Sequence, residues 1–151
     1  DVATIDVPPA DVERYRLRAG DVLLTEGGDA DKLGRGAVWR GAMDPCIHQN
    51  HIFRVRPVAN VLLPDFLSAQ LGSQRGKRYF LRAAKQTTGI ASINMTQLSG
   101  FPVLLPPMAA QESYERVVRR YTTWTEESLE HAATTTLLFE SLMQRAFEGR
   151  L

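Results

Sequence analysis

Cys46, His48 and His51 stand close together, and they are the residue types that ligate metals or form nucleophile and base pairs. A metal needs its ligands on one face, whereas residues 48 and 51 of a β-strand project to opposite faces, which disfavours zinc. No local motif pairs Cys46 with a base, and a lone cysteine more commonly serves as a small core residue. The pair Gly76-Lys77 is followed by Arg78 where a phosphate-binding Walker loop needs Ser or Thr. Residues 31–40, DKLGRGAVWR, hold glycines and cations without the spacing of a dinucleotide fingerprint. They read either as a tight turn presenting Lys32 and Arg35 or as a plain surface hairpin. The carboxylates and histidines of acid–base catalysis are not grouped, so no enzymatic constellation emerges. One chemistry fits several segments at once, contact with nucleic acid. Between Phe66 and Ala110 there is no Asp or Glu, yet Arg75, Lys77, Arg78, Arg82 and Lys85 all fall there. Such cations attract phosphates, and His48, Gln49, Asn50 and His51 can hydrogen-bond base edges. A solvated helix face accounts for the cluster equally well, and Gln49 and His51 fit a buried, satisfied place in a sheet equally well.

Length and composition bound these readings. A chain of 151 residues suits one domain of ordinary size with a real core. Its 44% hydrophobic and 23% charged content argues against disorder and fibrous repeats. Apolar runs such as 61–63 and 103–105 are far below the roughly 20 residues of a membrane span, so a soluble protein is expected. One cysteine and the lack of a charged-then-apolar leader point to the cytoplasm. The net charge of +1 conceals an asymmetry. Residues 1–107 carry 13 Lys and Arg against 10 Asp and Glu, whereas residues 108–151 carry 5 against 7.

The elements that must position these side chains follow from periodicity. Residues 1–16, with Pro8 and Pro9 adjacent, show no sustained period and read as an irregular lead-in. Residues 17–25 are a short strand closed by a Gly27-Gly28 turn, and residues 37–40 are its companion. Residues 47–56 alternate, with Ile47, Phe53 and Val55 on one face and His48, Asn50, Arg54 and Arg56 on the other, before Pro57 stops the strand. Pro64 opens a helix carrying Phe66, Leu67 and Leu71 and closed by Gly72. A second helix from Ser73 turns Tyr79, Phe80, Ala83 and Ala84 inward and the cations outward. Residues 85–95 read as an ordered polar loop, and residues 101–105 as a short apolar strand ended by Pro106-Pro107. From Met108 to Phe147 nothing breaks a helix about 60 Å long at 1.5 Å per residue, the threonines 134–136 being its weakest point. A 4-3 spacing runs through Tyr114, Val118, Tyr121, Thr125, Ser128, Ala132, Thr135, Phe139, Leu142 and Ala146, a seam weakened by its Thr and Ser positions. The helix is expected to pack on another through Tyr114, Val118, Tyr121, Phe139 and Leu142.

Six segments in order, LRAGDVLLT (17–25), LGRGAVW (33–39), HQNHI (48–52), QTTGIASINMTQ (86–97), FPVLLPPMAAQ (101–111) and AFEGRL (146–151), resemble the specificity subunits of type I restriction-modification systems. Each is weak alone. The ordered set is specific, above all the threonine-glycine loop followed by the proline pair and glutamine.

The resemblance implies an α+β chain with a mixed sheet-and-helix target-recognition domain followed by a long C-terminal helix that pairs as a coiled coil. Residues 1–107 resemble the later part of such a domain and residues 108–151 the conserved helix. The family domain begins earlier than Asp1 does, so a fragment or a short variant is expected. A subunit of this kind reads half of a split double-stranded DNA site and positions adenine methyltransferase subunits, and in some systems a restriction subunit. It is not itself an enzyme, and S-adenosylmethionine belongs to the methyltransferase partner. The absence of an Asn- or Asp-Pro-Pro-aromatic motif and of a glycine-rich cofactor loop agrees. Residue type selects Lys32, Arg35, Arg75, Lys77, Arg78 and Lys85 for phosphates, and His48, Asn50, Gln86, Thr87 and Thr88 for bases or sugars. The alternatives are the specificity tail of a single-chain restriction-methylation enzyme and a helical assembly module that binds no DNA.

Overall fold

The computed structural model describes residues 3–29, 33–87 and 90–150, with the backbone alone at residues 86, 87 and 90. It is α+β, and the chain divides into two compact units, Asp1–Gln111 and Glu112–Leu151.

The first unit opens with α1 (Pro9–Tyr15), a helix where an irregular lead-in was expected. Pro9 lies in its first turn with φ already set for a helix, and Asp11 and Arg14 suit the two ends of the helix dipole. No residue of α1 is buried, so there is no apolar period to read. Three strands follow, β1 (Val22–Thr25), β2 (Gly27–Gly28) and β3 (Gly36–Val38), then β4 (Ile52–Val55). An antiparallel sheet has the order β3-β1-β4, with Val22 opposite both Val38 and Val55. The expected strand over 47–56 is thus shortened to four residues. Ile47 keeps a single bridge to Arg16, and the Ile52 amide donates to the Gln49 carbonyl at 3.1 Å, which closes a turn over the polar residues His48 to His51. Asn and its neighbours favour turns, so an apparently alternating run here passes through one.

The glycine pair is no turn. It forms the edge of a second sheet of order β2-β6-β5, made with β5 (Lys85–Thr87) and β6 (Ile90–Ser92). The expected polar loop over 85–95 therefore contains two paired antiparallel strands, β5 and β6, followed by α4 (Met95–Ser99). Asn94 caps α4 reciprocally with Gln97, a capping box whose sequence signature, Asn three residues before Gln, went unread.

Helices α2 (Pro64–Gly72) and α3 (Gln74–Ala83) lie where proline and apolar spacing place them. Ser73 joins them, its hydroxyl accepting from the Gly76 amide at 3.1 Å. The core gathers Val22, Leu24 and Phe53 from the first sheet, Leu67 and Leu71 from α2, Phe80 from α3, and Ala91, Ile93, Leu98 and Phe101 beyond. Phe80 is fully buried and stacks on Phe101 with ring centres 5.4 Å apart, while Tyr79 meets both rings edge-on. Gly34 lies against this cluster with φ +72°, and a Cβ there would stand 2.2 Å from the Phe80 ring.

Residues 101–105 form no strand. Phe101 is buried, but Val103, Leu104 and Leu105 are exposed, and the backbone finds a side chain in place of a sheet. The Gln70 amide accepts from Leu104 N–H at 2.8 Å and donates to Leu104 O at 3.0 Å. Gln111, wholly buried, does the same for neighbouring chain, accepting from Leu63 N–H at 2.9 Å and donating to Val61 O at 3.0 Å and Pro106 O at 2.9 Å. Buried amides cost heavily unless paired, and among the described residues no buried side-chain nitrogen or oxygen lacks a partner.

Helix α5 (Met108–Phe147) runs 40 residues without a break. Thr134, Thr135 and Thr136 send their hydroxyls to carbonyls four residues back at 2.9 to 3.0 Å, so the weak point stays helical. Beyond Gln111, the helix-pairing candidates Tyr114, Val118, Tyr121, Phe139 and Leu142 are all exposed. Among the described residues no helix is long and apolar enough to cross a membrane.

Candidate nucleic-acid interface

The turn that carries His48 and Asn50 begins at the bridge of Ile47 to Arg16 and ends at a junction with Glu26. Beyond Thr25, opposite Ile52, the chain passes through Glu26 into β2, where Gly27 lies opposite Ser92. The Glu26 amide donates to His51 O at 2.9 Å, and its carbonyl accepts from Ile93 N–H at 2.9 Å. Its carboxylate meets His51 Nδ1 at 3.0 Å. A strand that changes sheets thus brings the 48–51 turn beside the sheet to which Lys85, Gln86 and Thr87 belong. His48 is half-buried, its ring edge-on to Tyr15 at 5.5 Å and its Nδ1 3.1 Å from Gln49 O. Gln49, Asn50 and His51 are exposed, so Gln49 and His51 are not satisfied inside a sheet.

Arginines divide into those consumed by the fold and those held outward. Asp21 is buried and accepts from Arg56 Nε at 2.6 Å, Arg56 Nη2 at 2.7 Å and the Arg18 amide at 2.8 Å. Burial alone would raise its carboxyl pKa, but these bonds and the charges of Arg56 and Arg54 outweigh it and hold the group below its usual value. The same bond raises the Arg56 pKa. Arg16 grips Asp44 at 2.5 and 2.9 Å, which lowers the Asp44 pKa chiefly by hydrogen bonding, and Arg40 holds Asp65 in a bidentate pair. Arg54 donates to Arg14 O and Arg16 O.

Helix α3 differs. Among the described residues, no ion pair involves Arg75, Lys77, Arg78, Arg82 or Lys85. Arg75, Arg78 and Arg82 share one face by spacing. Arg78 Nε donates to Gln74 O at 3.1 Å and Arg82 Nε to Arg78 O at 3.3 Å. Each exposed guanidinium therefore has its stem pinned to the helix while its outer nitrogens remain for solvent or a ligand. Arg75 is tied down more firmly, donating through Nη2 to Pro102 O at 2.6 Å and lying 5.3 Å over the Phe101 ring. Lys77 is half-buried, whereas Arg35 and Lys85 are exposed. Arg82 was left out of the phosphate set, although its spacing from Arg75 and Arg78 would have found it. Lys32 and Thr88 lie outside the described residues, as do the side chains of Gln86 and Thr87. Among the described residues, no group of three His, Cys, Asp or Glu could hold a metal ion.

The protein is thus of the α+β class, a mixed sheet-and-helix unit with a cation-lined helix and a polar turn, continued by a long helix. No family model matches the chain. The chain is 28% identical over 113 residues to a protein of Methanocaldococcus jannaschii that carries the name of the MjaX type I restriction enzyme specificity subunit, covering 75% of this chain. It is also 28% identical over 143 residues to the StySPI type I restriction enzyme specificity subunit of Salmonella potsdam, covering 91% of this chain. The chain spans 27% and 31% of the lengths of these curated relatives. It is thus similar, over most of its own length, to part of a type I specificity subunit.

Proposed function

We propose that this chain is the DNA-reading part of a type I restriction-modification specificity subunit. The observation that carries the reading is the 143-residue likeness, long enough to reach into both compact units. In this reading residues 1–107 serve as part of a target-recognition domain and residues 108–151 as the pairing helix. The chain reads one half of a split double-stranded site and positions methyltransferase subunits, and in some complexes a restriction subunit, in the cytoplasm. It contributes recognition and no chemistry, and S-adenosylmethionine binds to the methyltransferase partner. The cations of α3 whose outer nitrogens remain for a ligand, Arg78 and Arg82 above all, supply attraction to phosphates that is blind to sequence, and the 48–51 turn supplies groups able to discriminate bases.

The test is a titration of matched and scrambled duplexes with excess competitor DNA, using the chain joined to its natural upstream residues and methyltransferase partner. Retention of the matched duplex alone is expected. Equal loss of both duplexes would favour an assembly module that binds no DNA. Labelled methyl transfer should need the partner, and transfer by the chain alone would overturn the non-catalytic role.

A further inference from the structure

We infer that Glu26 is a positioning residue for sequence reading, holding the 48–51 turn in register with the sheet that bears β5 and β6. The inference rests on the DNA-reading role proposed above and assigns a residue to it that residue type alone would exclude, since a carboxylate repels phosphate. Three links converge on this one residue. Its amide holds His51 O, its carbonyl holds Ile93 N–H, and its carboxylate holds His51 Nδ1. They join the end of the first sheet, the turn and β6 at the point where the strand changes sheets.

The side-chain link is the informative one. The two backbone bonds survive any substitution but proline, so the path of the strand does not need a carboxylate. The His51 side chain is 83% exposed and that of Glu26 37%, and an exposed pair contributes little to stability. What it does supply is orientation. The start of the turn is held by the His48 N–H bond to Tyr15 O at 3.4 Å, and at its end the backbone bond at His51 O fixes one point and the side-chain bond a second, which limits rotation of His51 and of the exposed Gln49 and Asn50 before it. A base contact depends on such placement, because donors and acceptors must meet base edges at hydrogen-bond distance.

The experiment compares Glu26→Gln with Glu26→Ala in the chain carrying its upstream residues and methyltransferase partner. Both variants remove the charge, so any general gain in DNA affinity from lost repulsion is common to the two. Gln can still accept from His51 Nδ1–H, whereas Ala cannot. The Ala variant should lose about tenfold in the ratio of matched to scrambled affinity, the scale of one base contact, with Tm and salt slope close to those of the Gln variant. The Gln variant should keep the ratio. Without DNA, amide hydrogen exchange at residues 48–51 should quicken in the Ala variant alone. Equal ratios and equal exchange in the two variants would overturn the positioning role, even where the wild type discriminates its site. A wild type that discriminates no duplex, while exchange still separates Ala from Gln, would instead overturn the DNA-reading role and leave Glu26 as a clamp on the turn.

Discussion

Two buried residues, Gly34 and Asp21, show how single positions hold the first unit together. At Gly34 the backbone conformation and the packing both demand glycine, because φ is +72° and a Cβ would intrude on Phe80. An alanine there meets the left-handed penalty of about 1–2 kcal/mol and an overpacking cost of about 1–3 kcal/mol. Gly34→Ala should therefore lower the unfolding free energy by roughly 2–5 kcal/mol in urea titrations, and an unchanged midpoint would refute the close approach. Asp21 acts through charge. Its folded pKa lies below the ordinary 3.8, so the unfolded chain takes up the proton first as pH falls. The stabilisation is fully present above 3.8 and is lost as pH drops through the depressed folded value. Urea midpoints should consequently fall below about pH 4, and Asp21→Asn should flatten that part of the profile. A wild-type midpoint independent of pH between 4 and 2 would show that Arg56 does not hold the carboxylate as described.

At the scale of elements, α3 separates two jobs that the sequence presents as one cluster. Arg75 is spent on Pro102 and Phe101, whereas Arg78 and Arg82 present their outer nitrogens. Replacing Arg78 and Arg82 together by Ala should flatten the plot of log affinity against log salt by about 1.8, roughly 0.9 per lost phosphate contact, on matched and scrambled duplexes alike. Arg75→Ala should lower Tm and leave the slope nearly unchanged, and the reverse pattern would show that the clamp is incidental. This division explains what was legible in the chain. Helices α2, α3 and α5 were readable because proline starts, apolar spacing and the absence of breakers are local signals, and α3's cations were visible for the same reason. Arg75's tie to Pro102 was not, since it joins residues 27 apart in sequence. The strands were placed but mis-sized. Alternation over 47–56 continued through a turn that polar residues closed, Gly27-Gly28 became a strand only because Ser92 and Ala91 pair with it, and residues 101–105 stayed out of any sheet because Gln70 supplies the bonds a neighbour strand would. The first outcome is local, a turn closed between Gln49 and Ile52, whereas the other two depend on partners distant in sequence. The junction at Glu26 was missed because nothing local announces where a strand changes sheets.

On the scale of the whole molecule, the second unit is a helix whose apolar side chains have no cover. Tyr121, Trp124 and Phe139 are 65%, 63% and 62% exposed, and Val117, Val118, Leu129, Leu142, Met143 and Phe147 are exposed as well. At 100° per residue these fall, with Tyr114, on one side of α5, forming a broader stripe than the 4-3 spacing alone defined, with Leu137 and Leu138 outside it. Most helical stability in proteins comes from packing an apolar face, so a helix that exposes such a stripe gains most by packing it against another helix. We therefore expect the chain to self-associate, or to pair with a second recognition half, through α5. The place to cut the chain for a control follows from Gln111. Removing everything after Pro107 would delete an amide that holds Val61, Leu63 and Pro106, so a truncation there would unfold part of the first unit as well as remove the helix. Ending the chain after Glu112 keeps that amide and discards the exposed stripe. Sedimentation at tens of micromolar, on the order of the dissociation constant of a weak dimer, should give a larger species for the full chain and a monomer for the 1–112 form. Tyr121→Glu with Leu142→Glu in the full chain should also give a monomer, because a pairing seam does not accept buried unpaired carboxylates. A full chain that stays monomeric across that range would remove self-association as the role of the stripe and leave a different helix as its partner.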